Sequence, residues 1–249
     1  MLGEAELRRY DRQIRMRGFG LEGQEKLKKA RVAVIGLGGL GCPAALYLAA
    51  AGVGFLKLVD GGRVELSNLN RQVLYRDGDI GRPKAFLAAE RLRDVNPHVR
   101  VEALAIDVDE ENVLDILSDV DLVVDGLDNW RSRFVVNEAC VRLGIPFIHA
   151  GIRAFYGQVT TIVPGRGPCL RCIIKAIPPE EPGVPVIGAT PSLIASIQVL
   201  EAIKLITGLG KPLVGRLLIF DGLEMRFEEV LVERDERCPV CASVGDQGT

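Results

Sequence analysis

The stretch Arg31-Val-Ala-Val-Ile-Gly-Leu-Gly-Gly-Leu-Gly41 decides the fold. Its first half is a short apolar run rich in β-branched residues and ended by glycine, the pattern of a buried strand. Gly36, Gly38 and Gly41 then stand in the G-x-G-x-x-G spacing, with Gly39 inside the loop, and Leu40 to Ala51 reads as a helix stopped by Gly52. A strand, a glycine loop and a helix in that order present backbone N–H groups to phosphate with no Cβ in the way. Asp60 ends the next apolar run, Phe55 to Val59, where an acid that binds ribose belongs. Taken alone, this segment reads as an NAD-dependent dehydrogenase. The plainer alternative is a tight strand-to-helix turn with no ligand.

Outward from this core, strands and helices alternate. Helices are expected near Glu4 to Met16, Leu21 to Ala30, Arg82 to Val95, Glu110 to Leu117 and Trp130 to Leu143. Strands are expected at Val99 to Leu104, Asp121 to Asp125 and Pro146 to Ala150. Such alternation predicts a parallel sheet covered on both faces. After residue 151 the pattern changes. Phe155 to Val163, Leu213 to Phe220 and Met225 to Val232 read as antiparallel strands, with a helix at about Pro191 to Thr207 between them. The expected class is therefore α/β: a Rossmann-like, mostly parallel sheet extended by antiparallel C-terminal strands. One domain over 1–249 is expected, with a nucleotide-binding part at 31–151 and the extension at 152–249.

Composition narrows the function classes. Lys+Arg 31 against Asp+Glu 33 leaves no basic excess, so binding to nucleic acid through bulk charge is disfavoured. Aromatic residues are 5% of the chain, too few for a stacking surface along a single strand. At 48% hydrophobic, the 249 residues can bury a full core. The N-terminus lacks the basic and apolar regions of a signal peptide. The apolar stretches are broken by polar residues, so no membrane span is expected. A cytoplasmic protein is expected, in which cysteines serve as metal ligands or catalytic groups more often than as disulfides.

A dehydrogenase has no use for the polar cluster just beyond the second strand. Ser67-Asn-Leu-Asn-Arg-Gln72 places Asn68, Arg71 and Gln72 close together, and Lys84 lies on the next helix. Arg71 and Lys84 suit the neutralisation of a polyphosphate, and Asn68 and Gln72 suit phosphate or metal-bound water. Asp125-Gly-Leu-Asp-Asn129 ends the fourth strand, at the edge where such sheets bind ligands. Asp128 is a candidate Mg²⁺ ligand, since Mg²⁺ bridges carboxylates and substrate phosphates. Asp125 reads as a turn or cap acid, and Asp128-Asn129 also has the form of a helix N-cap. Cations, an acid for Mg²⁺ and a phosphate loop together point to ATP rather than NAD.

Six cysteines remain to be placed. Cys169-Leu-Arg-Cys172 and Cys238-Pro-Val-Cys241 are two C-x-x-C knuckles, the donor set of a closed, structural Zn²⁺ site. Cys42 and Cys140 read as small packing residues. His98 falls in a turn after Asn96-Pro97, and His149 reads as a core residue at a strand end.

In combination these motifs resemble a known family. Arg9-Tyr-Asp-Arg-Gln-Ile14, the glycine loop, Ser67 to Gln72, Gly81-Arg-Pro-Lys84, Asp125 to Asn129 and the two C-x-x-C pairs occur in the order found in the MoeB/ThiF group, prokaryotic relatives of ubiquitin-activating enzymes. The resemblance runs from about residue 4 to residue 241. It implies an enzyme that binds MgATP and the Gly-Gly tail of a small ubiquitin-fold carrier protein, adenylates the tail carboxylate and releases pyrophosphate. A separate sulfur donor then forms a thiocarboxylate. By position, Gly39 and Gly41 line the nucleotide site, and Asn129 belongs with it. Asp60 holds ribose, Asn68, Arg71 and Lys84 bind phosphates, and Asp128 binds Mg²⁺. The family also implies a homodimer in which Arg12 reaches the partner's site; read alone, Arg12 is a surface charge. Some relatives carry a cysteine before the Pro191 to Thr207 helix, but Lys175 to Thr190 has none. The chain is thus expected to stop at the acyl-adenylate without a thioester of its own. The Pro/Gly-rich stretch Pro178 to Gly188 is expected to cover the carrier tail, and no rhodanese domain is expected after Thr249. An NAD(P)-dependent oxidoreductase, a non-catalytic scaffold, and a relative acting on tRNA or another small substrate remain as alternatives.

Overall fold

Successive side chains of a strand point to opposite faces, and this chain exploits both. The computed structural model describes residues 1–180 and 183–245. Its helices are α1 (Glu4–Arg9), α2 (Asp11–Ile14), α3 (Gly20–Lys29), α4 (Gly41–Ala51), α5 (Lys84–Val95), α6 (Val113–Leu117), α7 (Trp130–Leu143), α8 (Leu170–Ile173) and α9 (Ala189–Thr207). Its strands are β1 (Arg31–Ile35), β2 (Phe55–Val59), β3 (Arg100–Leu104), β4 (Leu122–Asp125), β5 (Phe147–Arg153), β6 (Tyr156–Ile162), β7 (Arg216–Asp221) and β8 (Arg226–Leu231). They form one sheet of order β3-β2-β1-β4-β5-β6-β7-β8. The first five pair in parallel, and β6, β7 and β8 join antiparallel.

Val32 and Val34 of β1 and Leu56 and Leu58 of β2 enter one core, with Leu48 of α4, Leu92 of α5 and Ala202 of α9. Ala33, Ile35, Phe55 and Val59 face the other, with Ile116 of α6 and Val136 of α7. Helices therefore cover both faces of the parallel part, as the near-continuous apolar strands require. Helix α9 is long and apolar enough to cross a membrane by length and composition. It nevertheless carries Gln198 and Glu201, both buried, and they bond to the backbone of neighbouring elements. It is a core helix packed on α4, β5 and β6.

Several boundaries depart from the sequence reading; β5, for one, runs on to Arg153, paired with Tyr156 of β6. The first expected helix breaks at Tyr10, whose buried ring is held by a hydrogen bond from Asn96 at 2.8 Å. α6 starts late because Asp109 Oδ1 takes the amides of Glu111 and Asn112 in a turn. β7 starts at Arg216 because Leu213 spends its amide on Glu201 and Gly215 adopts φ +70°.

Chain order runs outward from β1 through β2 to β3 and then returns to β4 on the other side of β1. From β1 and β4 the chain passes to helices on opposite faces of the sheet, α4 and α7, and ligands bind at the strand C-termini at such a switch point.

Candidate functional site

The glycine loop is built by mutual exclusion. Gly36 has φ +87°, and a Cβ on it would lie 2.5 Å from the Gly126 carbonyl oxygen. A Cβ on Gly126 would lie 2.2 Å from the Gly36 carbonyl oxygen, and one on Gly41 1.8 Å from the same atom. The loop after β1 and the turn after β4 thus touch through bare backbone. Asp60 clamps the loop from β2: its Oδ2 accepts from the Leu37 amide at 2.6 Å and its Oδ1 from Gly62 at 2.7 Å. The Leu37 carbonyl accepts from Tyr75 and from Cys42, each at 3.1 Å.

Above this frame lies a cavity of about 1160 Å³. Gly36, Gly38, Gly39, Asp60, Arg71, Gln72, Lys84, Asp128 and Asn129 all face it. Gly41 stands behind the loop as a packing residue. Asn68 is buried beneath the wall, where its Oδ1 takes the Glu65 amide at 3.0 Å. Arg12 is exposed on α2, outside the lining. Arg71 donates to the Ser67 carbonyl and the Asn70 side chain at 2.9 and 3.0 Å, which directs its stem along the wall. Gln72 is buried, and its Oε1 has no hydrogen-bond partner among the described residues, leaving an acceptor at the wall. Asn129 caps α7 by accepting from the Ser132 amide at 2.8 Å, so it is both cap and cavity residue.

The sequence reading missed the buried cluster below Asp128. Asp125 is fully buried, and its Oδ2 lies 2.7 Å from His149 Nδ1 and 3.2 Å from the Arg133 guanidinium. Burial pushes the His149 imidazole below its ordinary value of 6.5, against the pull of Asp125. The neutral ring therefore donates its Nδ1–H to the carboxylate. Arg133 stacks over Trp130 at 4.9 Å and reaches the cavity edge. The sequence signal was the pairing of an acid at a strand end with a basic residue one turn into the next helix. The wall also takes in Ile106 to Val108 after β3, and Tyr156 and Gln158 on β6. Antiparallel strands enter the site only through folding, so no local pattern announces them.

Within Pro178 to Gly188, residues 181 and 182 lie outside the described residues. On either side of them, Pro179, Glu180, Val184 and Val186 border the cavity. Glu180 accepts from the amides of Trp130 and Arg131 at 2.7 and 3.1 Å, at the N-terminus of α7. Negative charge is stabilised at that end of a helix.

Away from the cavity, Cys169, Cys172, Cys238 and Cys241 bring their sulfurs within 4.8 Å of one another, all buried. The cross-knuckle pairs Cys169–Cys238 and Cys172–Cys241 stand 3.6 and 3.4 Å apart, far beyond the ~2.05 Å of a disulfide. Four sulfurs tetrahedrally bound at about 2.3 Å would lie about 3.8 Å apart, so the donor set fits Zn²⁺. Burial pushes the Cys172 thiol up to about 11 and Cys169 higher still, whereas in Cys238 the amides of Cys241 and Val240 outweigh burial and hold it low. The Asp235 amide points at Cys172 Sγ, 3.4 Å away, an outer bond of the kind that supports thiolate ligands.

Comparison with known proteins gives concordant results. The model of the ThiF family matches residues 10–240. A sulfur carrier protein adenylyltransferase of Thermus thermophilus is 48% identical, over 98% of this chain and 93% of that protein. The SAMP-activating enzyme E1 of Haloferax volcanii is 46% identical, over 98% and 92%. Among solved structures, E. coli MccB with MccA-N7isoASN matches with a TM-score of 0.84 at 25% identity, over 95% of this chain and 75% of that one.

Proposed function

The chain belongs to the ThiF family, and from that premise we propose that it is an adenylyltransferase acting on a small ubiquitin-fold sulfur carrier. The observation that carries this reading is the convergence of the glycine loop, Asp60, Arg71, Lys84 and Asp128 on one cavity at the switch between β1 and β4. A dehydrogenase reading leaves Arg71, Lys84 and Asp128 without a task.

The chemistry asks for charge more than for a base. A C-terminal carboxylate is ionised at neutral pH and is already a nucleophile. One of its oxygens bonds to the α-phosphorus of ATP, the bond from that phosphorus to the bridging oxygen breaks, and pyrophosphate leaves. Negative charge gathers on the phosphate oxygens, and fixed cations stabilise it. Arg71 and Lys84 fill this role, Asp60 holds the ribose, and the amides of Gly38 and Gly39 face the phosphates. Gln72 and Asn129 complete the polar wall, and Asn68 and Gly41 support the nucleotide site from behind. Asp128 holds Mg²⁺, which when bound adds positive charge at those oxygens. Arg12, remote from its own cavity, serves the partner's site in a homodimer. The whole chain, 1–249, works as one unit, with 31–151 serving the nucleotide and 152–249 the carrier tail.

The product is an acyl-adenylate, which a separate sulfur donor converts to thiocarboxylate. Cys42 and Cys140 are buried, and burial pushes Cys42 up to about 12 and Cys140 further, which supports a route without an enzyme thioester. Zn²⁺ in the four-cysteine cluster is structural. The setting is cytoplasmic, with neither membrane nor nucleic acid as a partner.

ATP–pyrophosphate exchange with a panel of Gly-Gly-ended carriers tests the reading. Exchange that depends on a carrier supports it. Absence of exchange with every carrier, together with NADH binding, sinks it.

A further inference from the structure

We infer that Asp125 is a positioning residue for the Asp128 carboxylate, acting through Arg133 and the Leu127 peptide groups. The inference rests on the reading of Asp128 as the Mg²⁺ ligand. Asp125 itself is fully buried and does not reach the cavity.

The turn from Asp125 to Asn129 is pinned on both sides of Asp128. Asp125 Oδ1 accepts from the Leu127 amide at 2.9 Å. Arg133 Nη2 donates to the Leu127 carbonyl at 2.6 Å. The same guanidinium pairs with Asp125 Oδ2, which also takes the His149 Nδ1–H. Gln198, buried on α9, donates to the Asp125 carbonyl at 2.9 Å and to Ile148 at 3.1 Å. Asn129 closes the far end on the Ser132 amide. Leu127 is thus gripped at both its N–H and its C=O, and Asp128 is the next residue. The Asp128 side chain, in contrast, is exposed to the cavity and makes no hydrogen bond or ion pair among the described residues.

Physical cost argues that this arrangement is not there for stability. A buried ion pair gives little net stability, and well-packed apolar side chains often serve as well or better. What the buried ion pair supplies, together with the hydrogen bonds of its members to Leu127 and His149, is one geometry. Asp128 needs that, because a displacement of about 1 Å at a reacting centre costs on the order of 100-fold. A cap or turn acid would need neither the guanidinium nor the imidazole.

The test is calorimetric titration of the full chain with ATP, once in excess Mg²⁺ and once in EDTA. The readout is the gain in affinity that Mg²⁺ confers. Asp125→Asn keeps shape and the bond from Leu127 but loses the charge that fixes Arg133. The gain should shrink roughly tenfold while affinity for ATP in EDTA stays within about twofold, in protein that melts cooperatively. Equal weakening in both titrations means a merely structural role and overturns the inference, as does an unchanged gain. If Asp125→Asn does not fold, Arg133→Lys decides. It keeps the charge but cannot fork between Asp125 and Leu127, so the gain should fall roughly threefold, and no change overturns the proposal. Asp128→Asn separates the two levels. If it leaves the gain intact, the metal reading fails; if it removes the gain and Asp125→Asn does not reduce it, only the positioning role fails.

Discussion

At the residue scale, the site divides into groups that face the cavity and groups that hold them. Asp128→Ala and Arg71→Ala remove charge from the cavity without opening the core. Each should lower carrier-dependent exchange by at least roughly 100-fold while leaving the melting temperature near that of the parent. Normal exchange by Asp128→Ala would show that the metal assignment is wrong. His149 belongs to the holding groups, and its titration has a definite sign. Its folded value lies below 6.5 because burial, and then the Arg133 charge, outweigh Asp125. The unfolded chain therefore binds the proton first as pH falls. Stability from this residue is full above pH 6.5 and is lost as pH drops from there through the folded value. His149→Gln should melt with a weaker pH dependence between about pH 7 and 5 in scanning calorimetry; an unchanged slope would contradict the burial argument. Residues at this scale were legible where chemistry and spacing coincide, as in the glycine loop, Arg71, Lys84 and the cysteines. Asp125 as a turn acid and His149 as a core residue were legible too, but their pairing was not, because it is a contact between β4 and β5 that sequence order hides.

At the element scale, apolar runs ended by turn residues located β1, β2 and β4, since burial on two faces leaves few alternatives. Short elements escaped. α8, four residues long, forms because the Cys169 knuckle turns there and Asn137 takes the Leu170 amide at 2.9 Å. Helix α7 depends on its cap: Asn129→Ala should cost about 1 kcal/mol in denaturant unfolding, because the Ser132 amide loses its acceptor. The junction of the loops after β1 and β4 is stricter. Gly126→Ala drives a Cβ to within 2.2 Å of the Gly36 carbonyl, and unfolding should show a loss of roughly 3 kcal/mol. A loss near zero would mean that the two loops separate freely.

At the scale of the whole molecule, the cysteine cluster ties α8 to the C-terminal segment across 69 residues that include α9, β7 and β8. Stripping the metal with a chelator, or replacing Cys238 with serine, should lower the melting temperature by roughly 10 °C, with zinc content followed by elemental analysis. Mixing Arg12→Ala and Asp128→Ala chains tests the dimer: one competent site per mixed pair should restore part of the exchange that each variant alone lacks. No recovery would place Arg12 outside the chemistry. The Arg133 stack also makes the site optically visible. The chain has one tryptophan, and Trp130 stands at the cavity wall under that guanidinium, with Glu180 on its amide. Its emission is therefore a readout already installed at the α7 end of the site. Nucleotide arrival can be timed by stopped flow in unlabelled protein, with no dye to perturb the wall it reports on.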